Sequence, residues 1–141
     1  MTLAQPAKEE ARPGIVLPTV LLVDDDLQTL SSLRRALRNE PYEVLCTDDP
    51  FEALEWIKSG DIHLVITDEF MPAMLGTELL EAVRVHSPES ATVLLTGYPS
   101  PSVTYRSFQQ RVDLLLIKPW DDQELREAAR RLLPDRAPDG E

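Results

Sequence analysis

Five short apolar runs, each followed by polar residues and then a helix-period stretch, constrain this chain more than any other feature. The runs are Val20–Val23, Glu43–Cys46, Ile62–Thr67, Thr92–Thr96 and Asp113–Ile117. Most are apolar throughout and do not alternate, which suits parallel strands covered on both faces. Between them, Leu30, Leu33 and Leu37 recur at i, i+3, i+7, and Leu79, Ala82, Val83 and His86 at i, i+3, i+4, i+7. Leu125, Ala128, Ala129, Leu132 and Leu133 form the cleanest stripe. Asp49-Pro50-Phe51-Glu52 and Asp121-Asp122-Gln123-Glu124 each read as a helix start with an N-cap acid and a glutamate three residues on. Pro99–Arg111 holds two prolines and three serines with little period, so the fourth helix is expected to be short or irregular. Strand then helix, five times, predicts an α/β fold: a doubly wound (βα)5 unit with right-handed crossovers around a five-stranded parallel sheet.

A length of 141 residues fits one domain that can bury its own core. The boundaries read as a flexible N-terminal arm over 1–17, a domain over 18–133 and a flexible tail over 134–141. Cys46 is the only cysteine, which excludes an internal disulfide and a cysteine-based zinc site and suits a reducing, cytoplasmic compartment. No apolar run reaches spanning length and the N-terminus has no signal-peptide core, so no membrane partner is expected. The net charge of −11 argues against direct nucleic-acid binding, which needs a basic footprint.

In open parallel sheets, ligands bind beyond the carboxyl ends of the strands. Here the first run ends in Asp24-Asp25-Asp26, the third in Asp68, the fourth in Thr96-Gly97 and the fifth in Lys118-Pro119. The topology brings these ends to one edge. Carboxylates about 4 Å apart repel by ~1 kcal/mol even at the dielectric of water. Such a cluster calls for a cation, and hard oxygen donors suit Mg²⁺. A carboxylate can also act as nucleophile and carry a phosphoryl group. Lysine supplies a point charge for phosphate and a threonine hydroxyl a hydrogen bond, while Gly97 leaves room for a phosphoryl group to enter.

The motifs VLLVDDD, TDEFMPAMLG, LLTGY and IKPW, in this order and spacing, resemble the receiver domains of two-component response regulators, the CheY-like family. The resemblance covers about residues 19–133. It implies the flavodoxin-like strand order 2-1-3-4-5. It also implies that Asp68 is the phosphoacceptor, that Asp25 and the main-chain oxygen of Phe70 ligate Mg²⁺ with it, and that Asp24 acts mainly through water. Thr96 matches the switch hydroxyl and Lys118 the lysine that pairs with the phosphoryl group. The bond before Pro119 is commonly cis in the family. The implied partners are a sensor histidine kinase or phosphotransfer protein, with a homodimer or downstream protein on the 99–133 face.

Four positions depart from the family pattern. Leu115 stands where many receivers place an aromatic switch residue. Leu75 stands where an aspartate is common. Phe70 and Tyr98 flank the path of attacking water, so they either shield the acyl phosphate or only pack. LTGY and KPW together also resemble receivers that carry large output domains. Two other functions fit less well. A HAD-type Mg²⁺ phosphatase would use Asp24 and Asp26, but Gln28 stands where threonine or valine is expected. A receiver-like module could also bind partners without phosphorylation. Asp26 reads as a helix cap and Glu69 as a solvated neighbour. His63 reads as a structural residue inside the third strand, His86 as a surface residue, and Cys46 as a small buried hydrophobe. Phe51 and Trp56 read as helix-face packing, and Trp120 as packing at the start of the last helix.

Overall fold

A computed structural model describes residues 16–133. The expected tail, and the arm apart from residues 16 and 17, lie outside the described residues. In chain order the elements are β1 (Thr19–Val23), α1 (Leu27–Leu37), β2 (Glu43–Thr47), α2 (Pro50–Ser59), β3 (Leu64–Asp68), α3 (Gly76–His86), β4 (Ala91–Thr96), α4 (Pro101–Gln109), β5 (Leu114–Ile117) and α5 (Asp122–Leu132). The five strands form one parallel sheet in the order β2-β1-β3-β4-β5.

The continuous apolar runs follow from a sheet with two covered faces. Val20 and Leu22 of β1 enter a core with Leu64, Ile66, Val93, Leu95 and Leu116, closed by Leu30 and Leu33 of α1 and Leu125 and Ala129 of α5. Leu21 and Val23 point the other way, to Val65 and Leu94, closed by Ile57 of α2, Leu79 and Val83 of α3 and Val103 of α4. A fully buried aliphatic side chain contributes about 1.5–3 kcal/mol. Cys46 lies in the first core and is fully buried. Trp120 packs against the first core and Trp56 against the second, each half-buried.

Some local expectations need correction. Phe51 is an exposed residue, so it does not pack as a helix-face residue. β3 begins at Leu64, one residue after His63. The His63 role is nevertheless structural, because its Nδ1 accepts from the Thr19 amide at 3.0 Å beside the sheet. His86 is exposed at the end of α3. Asp49 caps α2 by accepting from the Phe51 amide. Glu52 does not reach back to that cap; it accepts from the Thr47 hydroxyl at 2.6 Å. α4 is short but regular over nine residues: Ser100 accepts from the Val103 amide and Pro101 stands at the first turn. Its irregularity is confined to the exit, where Arg111 takes a left-handed φ of 56°.

Candidate functional site

β1, β3, β4 and β5 run parallel in close register, so their carboxyl ends form one rim. Asp68 is the last residue of β3 and pairs with Leu95 of β4. Asp24 follows β1, and its amide donates to the Thr47 carbonyl at 3.3 Å. Lys118 follows β5, and its amide donates to the Thr96 carbonyl at 2.8 Å. The backbone ladder thus fixes these residues before their side chains meet.

Asp24, Asp25 and Asp68 each offer a carboxylate oxygen within 4.8 Å of the others. Lys118 Nζ bonds to Asp24 Oδ2 at 3.0 Å and lies 3.3 Å from Asp68 Oδ1. Asp24 is 1% exposed, and its other oxygen accepts from the Asp26 amide at 2.9 Å. Both its oxygens are therefore engaged. Asp25 is exposed and Asp68 is 8% exposed.

The charges do not balance. Burial raises the pKa of Asp24, against the opposing pull of the Asp26 amide and Lys118. Burial first and the Asp24 charge second push Asp68 up to about 6, with Lys118 opposing them. Burial alone would lower Lys118, but the two aspartates outweigh it and hold its pKa above the ordinary lysine value. The three clustered carboxylates thus face one ammonium, which reaches only Asp24 and Asp68. Hard oxygen donors, crowded and short of positive charge, fit a small divalent cation such as Mg²⁺.

The remaining residues frame this pocket. Thr96 is fully buried, and its Oγ1 accepts from the Tyr98 amide at 3.1 Å. The hydroxyl is thus engaged with its own loop. A Cβ added at Gly97 would meet only the Lys118 Cβ, at 4.0 Å. A Cβ at Gly76 would overlap the Asp68 carbonyl, so the loop after β3 can close tightly only with glycine there. Phe70 and Leu75 form an antiparallel bridge across that loop. The Phe70 and Tyr98 rings meet edge to face, with centroids 6.2 Å apart, and are 44% and 74% exposed. Leu115 is half-buried against the second core. The Lys118–Pro119 bond is cis.

Two acids from the sequence reading take defined places. Asp26 caps α1, accepting from the Gln28 amide and the Thr29 hydroxyl. That contact occupies the second aspartate a HAD-type scheme would need. Glu69 is not a solvated neighbour. It is fully buried and accepts from the Thr77 amide at 2.7 Å, the Thr77 hydroxyl at 2.9 Å and Arg106 Nε at 2.8 Å. Its position next to Asp68 was visible in the sequence, but Arg106 lies 37 residues away.

No helix among the described residues is long and apolar enough to cross a membrane. A family profile described as the response regulator receiver domain matches residues 20–130. The chain is 31% identical over 119 residues to the two-component response regulator ORR3 of Oryza sativa subsp. indica, covering 82% of this chain and 91% of that protein. It is 29% identical over 113 residues to the hydrogenase transcriptional regulatory protein HoxA of Bradyrhizobium diazoefficiens. That match covers 79% of this chain but only 23% of HoxA. Among solved structures, it resembles the signal receiver domain of an HD domain-containing protein from Pseudomonas fluorescens Pf-5. There the TM-score is 0.79 at 33% identity, covering 83% of this chain and 94% of that one. With the fold, the strand order and the acidic rim in agreement, this chain belongs to the response regulator receiver domains.

Proposed function

We propose that the chain is a phosphoacceptor switch in which Asp68 takes a phosphoryl group from the phosphohistidine of a sensor histidine kinase or phosphotransfer protein. The observation that carries this reading is the Asp24, Asp25 and Asp68 cluster, with Lys118 bridging Asp24 and Asp68. In the transfer, an Asp68 oxygen forms a bond to phosphorus as the bond from phosphorus to the histidine nitrogen breaks, and the imidazole leaves. Lys118 already stands at Asp68 and meets the new charge on the phosphoryl oxygens. The Thr96 hydroxyl, which accepts from the Tyr98 amide, keeps its own hydrogen to donate in a hydrogen bond to a phosphoryl oxygen. Asp25, Asp68 and the Phe70 main-chain oxygen would hold Mg²⁺, with Asp24 acting through water. That ion, when bound, offsets the negative charge gathered by the carboxylates and the phosphoryl group.

Receiver domains are signalling proteins, not turnover enzymes, and this one acts by shifting a conformational equilibrium. Exposed Tyr105, Phe108 and Ile117 on the 99–133 face supply apolar area for a downstream partner or second copy. Incubation with acetyl phosphate and Mg²⁺ is expected to add one phosphoryl mass, lost in Asp68→Asn. No mass gain, and no response to Mg²⁺ with beryllofluoride, would instead favour a module that binds without phosphorylation.

A further inference from the structure

α4 is held in an unusual way. Only Val103 and Ser107 of its nine residues are buried, whereas Tyr105 and Phe108 face outward. Among the described residues, two side-chain contacts tie it to distant elements: Arg106 of the helix to Glu69, and Gln110, just past its end, to Arg84 Nε at 3.0 Å. Of these, only the first reaches the phosphoacceptor segment.

Followed residue by residue, that contact closes a ring. Asp68 is bonded covalently to Glu69, whose main-chain carbonyl accepts from the Gly76 amide at 2.8 Å. The Glu69 carboxylate holds Thr77 at the start of α3 and Arg106 of α4. From Arg106 the helix runs back to Ser100, which caps it and whose amide donates to the Tyr98 carbonyl at 2.8 Å. The Tyr98 amide donates to the Thr96 hydroxyl, and β4 returns to Asp68 through the β3–β4 ladder. The Thr96 hydroxyl is thus joined, through the Tyr98 amide, to the loop that caps α4. The Arg106–Glu69 pair, with the arginine side chain 30% exposed and the glutamate at 0%, is the one ion pair in the ring.

We infer that Glu69 and Arg106 are positioning residues that hold α4 and the Thr96 loop in the arrangement that disfavours phosphoryl capture, and that the pair opens when Asp68 is modified. This deepens the phosphoacceptor reading and rests on it. This pair gives the helix a direct route to the residue beside the phosphoacceptor. By linkage, whatever modification of Asp68 must open will, once removed, make that modification easier by the same factor.

The test is calorimetric titration of the full chain with beryllofluoride at saturating Mg²⁺. Arg106→Ala is expected to bind at least about fivefold more tightly than wild type, the lower end of ordinary coupling between sites. It leaves Glu69 buried with Thr77 alone and could weaken the fold, so the double variant Glu69→Gln/Arg106→Gln opens the ring without a bare buried charge. The double variant is expected to show the same gain, and Arg106→Lys a smaller one. Arg84→Ala removes the tie outside the ring and is expected to leave the affinity unchanged. Unchanged or weaker binding in both ring-opening variants overturns the inference, and so does an equal gain in Arg84→Ala. Failure of the wild type to bind at all would instead bring down the phosphoacceptor reading, and this inference with it.

Discussion

Within β1 and β3, every side chain from Val20 to Val23 and from Leu64 to Thr67 is buried, and the apolar ones gain stability from being so. One residue further along each strand, at Asp24 and Asp68, burial works against the charge the group carries. The two regions share the same ladders and differ only in what stands at the next position. The interior has little reason to move, while the rim carries an unfavourable charge that a cation or a proton relieves. A rigid platform thus presents a site whose free energy responds to what binds it.

The largest expected effect comes from breaking the platform. Leu30 is fully buried in the first core, between α1 and the sheet. Leu30→Ala removes that burial and leaves a cavity, and is expected to cost about 2–5 kcal/mol, read by urea denaturation. A cost below about 1 kcal/mol would mean that the interior is looser than its packing indicates.

The rim is expected to respond with the opposite sign. Asp68 has a pKa of about 6 in the folded chain against an ordinary value of 3.8. A raised acid binds more protons in the native state than in the unfolded state between these values. Stability from this group is therefore greatest at low pH and is lost as pH rises from about 4 to about 6. Asp24 is shifted in the same direction and adds to the trend. In Mg²⁺-free buffer at pH 7, Asp68→Asn is expected to stabilise the fold by up to about 3 kcal/mol, a gain that fades below pH ~4. Added Mg²⁺ is expected to stabilise wild type more than the variant. Thermal melts across this pH range decide it, and a destabilised Asp68→Asn at pH 7 would contradict an electrostatically burdened rim.

The kinetics of the modified rim provide a finer probe. Phe70 and Tyr98 meet edge to face beside the pocket. If they exclude water, Phe70→Asn speeds loss of radiolabelled phosphate from Asp68 by roughly three- to tenfold, a barrier change of no more than about 1.4 kcal/mol. An unchanged rate would leave the aromatic pair with a packing role alone.

Local chemistry made the fold and most of the rim legible from residue order. Apolar runs set the strands, and the acids, threonine and lysine at their ends had to share an edge once the sheet was parallel. Asp26 as a cap and Cys46 as a buried hydrophobe were equally readable, because each depends on its immediate neighbours. Glu69 was not, because its burial requires Thr77 and Arg106 from two other elements. Glu52 turned to Thr47 instead of its own helix start for the same reason. In α4, the two prolines and three serines of Pro99–Arg111 pointed to a short or irregular helix, yet serine at the cap and proline in the first turn are also what starts a regular helix.

The smallest expected effect lies on that helix. Phe108 is 82% exposed, three residues after the exposed Tyr105. A ring so exposed contributes little to the monomer, so Phe108→Ala is expected to change stability by no more than about 0.5 kcal/mol. Leu30 and Phe108 then stand at opposite ends of one scale: both are large and apolar, and only the first is held by the fold. A loss above about 1 kcal/mol in Phe108→Ala, measured by denaturation at several protein concentrations, would show that the ring is already covered. If that loss grew with protein concentration, the cover would be a second copy of the chain; if it did not, α4 would be packed more firmly than its two buried residues provide.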